Sequence, residues 1–162
     1  MQSNLILEKN SNSPDNSNNT DILDITNISY SWYLKIPCID LQAEISEGTS
    51  KEVMNQFIGH FEESSKTDGI VALAAHNRGY TVNYFQNLKK LKLGDEIEYY
   101  CNNFKKIYIV KSHTIIKDTD WSWLEPKSEN HIVLITCIEN EPEYRRCIQA
   151  IEKKEGGIYW KK

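Results

Sequence analysis

The sequence predicts a single, mostly β domain closed into a barrel with short helices, and three observations carry that expectation. Apolar and β-branched residues gather in seven or eight runs of strand length, turn residues punctuate them, and no regular strand–helix alternation suggests a doubly wound sheet. At 162 residues, 40% of them hydrophobic, the chain is long enough for one core and short for two. Nine Tyr, four Trp and four Phe supply the large, stiff side chains such a core uses.

Residues 1–28 are expected to be a flexible polar tail. Lys9 to Thr20 are almost wholly small and polar and bury too little surface to offset chain entropy. The domain, residues 29–162, opens with Trp32-Tyr33-Leu34-Lys35-Ile36, a strand that Pro37 ends, and Ile39 to Ile45 alternates as a second. Thr49-Ser50-Lys51-Glu52 offers an N-cap and an acidic first turn, with Val53, Met54 and Phe57 at helical spacing, so a short helix is predicted. Ile70 to Ala75 is a continuous apolar run of the kind buried on both sheet faces, and it delivers His76 at its end. Tyr84, Phe85, Leu88 and Leu91 predict a second helix closed by Gly94. Glu96 to Tyr100 and Lys106 to Val110 flank Asn102-Asn103, a turn pair that tolerates positive φ, which predicts a hairpin. His131 to Thr136 is another buried-type strand, and Arg145 to Ile151 follows after a loop rich in Glu, Asn and Pro.

A net charge of −4 argues against a nucleic-acid protein, because phosphate binding needs a concentrated positive face. The four cysteines show no C-x-x-C pair and no Cys/His spacing of a structural zinc site, so no metal and no cofactor are expected. No stretch has the roughly 18 apolar residues of a membrane span, so the chain is read as soluble, with membrane contact only through an anchor absent from it.

Cys137 ends an apolar strand and precedes a surface loop, an address at which a thiol meets substrate. A thiol with a pKa of about 8.5 is only a few per cent thiolate at neutral pH, so a nucleophilic cysteine needs a basic or cationic neighbour. One is Arg145 or Arg146 on the returning strand. Side-chain alternation allows only one of them to face the thiol, and periodicity alone does not choose. The other is a histidine. His131, six residues upstream on the same strand, lies about 20 Å away, and His113 sits mid-strand, whereas His76 opens the strand-end loop Asn77-Arg78-Gly79.

Leu134-Ile135-Thr136-Cys137 resembles the Leu-x-Thr-Cys signature of the sortases, and Arg145-Arg146-Cys147-Ile148-Gln149-Ala150 is similar to the Arg-x-x-Val-x-Ala strand that follows it. Ala74-Ala75-His76-Asn77-Arg78-Gly79 resembles the segment around the sortase histidine, with Ala75 where glycine is usual. Leu34 to Leu41 and Gly59-His60-Phe61 resemble the first strands, so the likeness spans about residues 32 to 152. The Cys137 to Arg145 connection is shorter than in the housekeeping class.

The resemblance implies a closed eight-stranded barrel and a cysteine transpeptidase in which Cys137 is the nucleophile, His76 the proton carrier and Arg145, not Arg146, the oxyanion-side cation. It implies cleavage of a Leu-Pro-x-Thr-Gly-like sorting signal between Thr and Gly through a thioester, with transfer to an amine acceptor. The implied partners are surface proteins or pilins bearing that signal and an acceptor such as a peptidoglycan precursor. The implied location is the outer face of a Gram-positive cell membrane. Thr136, Asn77, Glu139 and Trp121 are candidate substrate contacts, although Trp121 and Trp123 also read as caps on the barrel.

Cys38, Cys101 and Cys147 read as buried structural cysteines, His60, His113 and His131 as packing or surface histidines, and Arg146 as a solvated strand residue. Two competing functions remain open at the level of sequence. One is a non-enzymatic cell-surface β module bridged between Cys137 and Cys147, and the other a cysteine peptidase that hydrolyses without transfer.

Overall fold

A computed structural model describes residues 31–154, so the tail expected over 1–28 lies outside the described residues. Eight strands close a barrel in the order β1-β2-β3-β4-β7-β8-β6-β5. They are β1 (Trp32–Ile36), β2 (Leu41–Glu47), β3 (Ile58–His60), β4 (Ile70–Ala74), β5 (Glu96–Cys101), β6 (Phe104–Lys117), β7 (His131–Ile138) and β8 (Glu141–Glu152). Most neighbours are antiparallel, but β2 runs parallel to β3 and β4 parallel to β7. The second parallel pair sets up the site described below.

Local chemistry accounts for the connections. The β5–β6 hairpin turns through Asn102-Asn103 between the paired Cys101 and Phe104, with Asn102 at φ 57°, as predicted. Helix α1 (Lys51–Met54) starts where Ser50 Oγ accepts the Val53 amide at 3.2 Å. The second strand begins later than expected, because Pro37–Ile39 forms a 3-10 turn ended by Asp40 at φ 55°.

The second helix is not formed. Residues 83–91 instead carry i→i+3 bonds, Leu88 N to Phe85 O at 3.2 Å and Leu91 N to Leu88 O at 3.0 Å, and only Leu88–Lys90 is regular 3-10 structure. A helix of three residues per turn aligns Phe85, Leu88 and Leu91 on one side, and all three are buried in the core. Their spacing therefore satisfied two periodicities, and the tighter one is adopted.

Two apolar clusters lie on opposite sides of the β4–β7–β8 sheet. Leu34, Ile36, Ile58, Val71, Leu73, Ile97, Tyr99, Tyr108, Ile132, Leu134 and Ile148 belong to the barrel core. Ile70, Ala72, Ala74, Val133, Ile135 and Cys147 form a second cluster that Trp123 joins from the β6–β7 crossover. Burial on both faces is why β4 and most of β7 read as unbroken apolar runs.

The predicted loop after Cys137 is largely strand. Strands β7 and β8 turn tightly through Glu139 and Asn140, with Asn140 at φ 66°, and β8 bulges so that Ile138 pairs with Glu141 while Cys137 pairs with Arg145.

Candidate active site

Register places three side chains in one row across three strands. Parallel pairing sets Ala74 beside Ile135, so two residues further on His76 leaves β4 alongside Cys137 of β7. The alignment persists past the last strand residue, because Ala75 N donates to Ile135 O at 3.4 Å. On the other side, antiparallel pairing sets Arg145 directly opposite Cys137. Adjacent strands lie about 4.8 Å apart. Ala74, Ile135 and Cys147 all belong to the outer cluster, so by alternation His76, Cys137 and Arg145 rise on that same outer face.

All three line one groove of about 290 Å³, whose floor and walls include Ile135, Thr136, Ile116, Phe61, Met54 and Trp121. His76 and Cys137 also border a second depression, of about 530 Å³, that Asn77, Glu139 and Pro142 help to line. The Cys–His pair thus borders two concavities at once.

Cys137 is exposed and unbridged. Cys147, buried in the outer cluster opposite Ile135, is likewise free, so the Cys137–Cys147 bridge of the structural alternative is not formed. Burial pushes the Cys147 thiol up to about 11, leaving it protonated and inert at neutral pH. Cys38 is exposed, not packed.

His76 is buried, and its Nε2 has no hydrogen-bond partner among the described residues. Burial first, and then the Lys51 ammonium, hold its pKa below the ordinary histidine value. Tyr80, from the loop that follows, stacks on the imidazole with centroids 3.6 Å apart and planes 9° from parallel. The carbonyls on both sides of the strand end are held. Thr136 Oγ1 donates to Ala75 O at 2.7 Å, and Phe85 N donates to His76 O at 3.1 Å. Thr136 does line the groove, but it is only 4% exposed and its hydroxyl proton is committed to Ala75, so here it braces the histidine strand.

The two arginines separate by face. Arg145 Nη1 donates to the carbonyls of Pro142 and Tyr144, at 2.9 and 2.8 Å, both in the β8 bulge, which anchors the guanidinium on the bulge while Arg145 lines the same groove as Cys137. Arg146 turns to the other side of β8. Its Nη1 donates to His113 Nε2 at 2.7 Å, while His113 Nδ1 donates to Leu91 O at 2.9 Å. It is therefore half-buried and bonded, not a freely solvated strand residue.

A profile described as Sortase domain matches residues 34–152. The chain belongs to the sortase family.

This sortase is 26% identical over 118 residues to Sortase A of Bacillus anthracis, a match that covers 72% of this chain and 56% of that protein. It therefore spans little more than half the length of that relative. Among solved structures it is similar to sortase C-1 of Streptococcus pneumoniae, with a TM-score of 0.72 and 25% identity over 78% of this chain and 68% of that one. Sortase C1 of Streptococcus agalactiae gives a TM-score of 0.71 and 26% identity over 78% and 68%. A lid mutant of Sortase A from Corynebacterium diphtheriae, 23% identical over 76% and 70% with a TM-score of 0.72, shares the fold.

The remaining expectations divide. His131 pairs with Ile70 at the far end of β4, well away from Cys137, as strand geometry required. His60, at the end of β3, is buried against Glu47 of β2 and Ser64 of the following turn, and does not line the groove. Trp121 and Trp123 part company: Trp123 is 5% exposed and caps the outer cluster, whereas Trp121 is 51% exposed on the groove wall, edge-on to Phe61. Glu139 forms an ion pair with Arg78, tying the β7–β8 turn to the histidine loop.

Tyr80, Arg78, Ile116, Phe61 and Met54 went unnoticed in the sequence as site residues. Gly79, at φ 85°, marks the turn that folds Tyr80 back on His76, and a His-x-x-Gly-aromatic string is the only local signal for it. Among the described residues no group of three or more His, Cys, Asp or Glu forms a candidate metal site, and no helix is long and apolar enough to cross a membrane.

Proposed function

We propose that this sortase is a cysteine transpeptidase that cuts a Leu-Pro-x-Thr-Gly-like sorting signal between Thr and Gly and passes the acyl group to an amine. The observation that carries the reading is the single row of His76, Cys137 and Arg145 on one sheet face above a groove of peptide dimensions.

With its pKa held down, His76 rests as the neutral imidazole and takes the proton from the Cys137 thiol as the sulfur attacks the Thr carbonyl carbon. The carbonyl oxygen becomes an oxyanion beside the Arg145 guanidinium. Collapse of the tetrahedral adduct breaks the C–N bond, and the departing Gly amine takes the proton from the His76 imidazolium. A thioester on Cys137 remains. The acceptor amine then attacks that carbonyl, gives its surplus proton to His76 and expels the thiolate, which recovers the proton. No step requires a cofactor.

The signal lies in the apolar groove, with Trp121, Ile116 and Phe61 against its apolar side chains, and Asn77 and Glu139 border the depression from which the amine approaches. The substrates are surface proteins or pilins carrying the signal, the acceptor is a peptidoglycan-precursor amine or a pilin lysine, and the reaction takes place at the outer face of a Gram-positive membrane.

A peptide library varied around Leu-Pro-x-Thr-Gly, offered with hydroxylamine and read by mass, tests the reading. Products carrying the acceptor are expected from wild type and not from Cys137→Ala. No cysteine-dependent product from any peptide would sink it, and products of water alone would favour a peptidase.

A further inference from the structure

The described residues expose four large hydrophobic side chains: Tyr80, Leu93, Ile115 and Trp121. Tyr80 stacks on His76 and Trp121 walls the groove, so both belong to the site already described. The other two, Leu93 at 67% and Ile115 at 51% exposed, fall in one open depression of about 630 Å³ with Lys92, Lys111, His113 and Arg146. Lys89 and Lys90, exposed in the same Leu88-Lys89-Lys90-Leu91-Lys92-Leu93 string, extend the basic charge beside it.

This concentration of charge runs against the composition of the chain, whose net charge is −4. Among the described residues no carboxylate lines the depression. The nearest acid in sequence, Asp95, accepts the Lys92 backbone amide at 2.8 Å. None of Lys92, Lys111 and Arg146 takes part in an ion pair between described residues. Arg146 bonds instead to Nε2 of His113. Unpaired cations flanking exposed aliphatic side chains have one natural complement, a surface negative at its face and apolar just beneath.

We propose that the β6–β8 face carrying Leu93, Ile115, Lys92, Lys111 and Arg146 docks on an anionic lipid bilayer. Leu93 and Ile115 enter the acyl boundary while the lysines and Arg146 meet the phosphates, with their aliphatic stems lying along the interface. A soluble polyanion would satisfy the charges but leave both hydrophobic side chains in water, so the bilayer is the better match. The inference stands apart from the proposed reaction. It shares one structural consequence with it: β8 sends Arg145 to the groove and Arg146 to the docking face, so in a docked molecule the groove opens on the side of β8 turned away from the membrane.

Flotation of the full chain tests this, using vesicles of phosphatidylglycerol mixed into phosphatidylcholine against phosphatidylcholine alone. Wild type is expected to float with the anionic vesicles, and to be released as salt rises to about 1 M and the screening length falls from about 8 to 3 Å. Lys92→Glu with Lys111→Glu should lower partitioning by at least about 25-fold, from about fivefold for each lysine lost at the surface. Leu93→Ser with Ile115→Ser should lower it as clearly, at unchanged melting temperature and unchanged turnover of a soluble peptide. Failure of wild type to float, equal binding to both vesicles, or either double variant floating like wild type would overturn the proposal. So would loss confined to the lysine variant together with tight binding of soluble polyphosphate, which would reassign the face to a polyanion.

Discussion

Thr136→Val isolates the brace behind the proposed proton carrier. Valine matches threonine in shape and fills the same volume, so the change removes one hydroxyl and little else. That hydroxyl donates to Ala75 O at 2.7 Å between two residues that are each 4% exposed, so water is a poor replacement for it at this carbonyl. Leaving a buried acceptor unsatisfied costs about 1 to 3 kcal/mol, well above the small gain from burying a methyl in place of a hydroxyl. For a domain of this size, each kcal/mol lowers Tm by roughly 4 °C, so a fall of about 4 to 12 °C is expected. Thermal unfolding followed by circular dichroism reads it, with Thr136→Ser as the control that keeps the donor and melts near wild type. Because the freed carbonyl adjoins His76, peptide turnover should fall further in the valine variant than in the serine one. A valine variant that melts within a degree of wild type would refute the brace.

Other outcomes follow from the same geometry. Arg145→Ala should cut turnover by two to three orders of magnitude, about 3 to 4 kcal/mol of oxyanion stabilisation, whereas Arg146→Ala should stay within tenfold; steady-state kinetics on a sorting peptide that reversed this order would reassign the cation. Iodoacetamide on the native protein, mapped by peptide mass, should label exposed Cys137 and spare buried Cys101 and Cys147, the latter with its thiol pushed up to about 11; equal rates for Cys147 and Cys137 would contradict the packing. Stability should fall as pH drops. Burial and Lys51 lower the native His76 pKa, so below about 6.5 the unfolded chain binds the proton first, and His76→Gln should flatten urea midpoints measured from that pH downward. Burial works against ionised Glu47, but the hydrogen bond and charge of His60, with Lys66, outweigh it, so a second loss begins where free carboxylates titrate.

Much of this architecture was legible because its causes are local. Strand β1 ends at Pro37, the β5–β6 hairpin turns on Asn102-Asn103, and β4 and β7 are apolar on both faces because clusters lie on both faces. What escaped depends on partners distant in the chain. The parallel pairing of β4 with β7, which brings His76 level with Cys137, has no counterpart in either segment alone, so resemblance carried most of the case for that histidine. The Arg78–Glu139 pair spans loops 61 residues apart in the chain, and nothing near either residue announces it. Trp121 and Trp123 are two apart on a crossover, and only the surface they meet decides that one is buried and the other exposed.

The choice between Arg145 and Arg146 shows how one irregularity organises the site. Had β8 continued from Ile138↔Glu141 in strict antiparallel register, Cys137 would stand opposite Pro142, a residue with no charge and no donor. The bulge takes up Pro142, Glu143 and Tyr144 and brings Arg145 to that place, and the Pro142 and Tyr144 carbonyls it displaces accept the Arg145 guanidinium. Residues that shift the register therefore also anchor the cation it delivers. A register with the bulge two residues shorter would preserve side-chain parity yet set Glu143, a carboxylate, opposite the thiol in place of the guanidinium, so the row depends on the length of the bulge as well as on its chemistry.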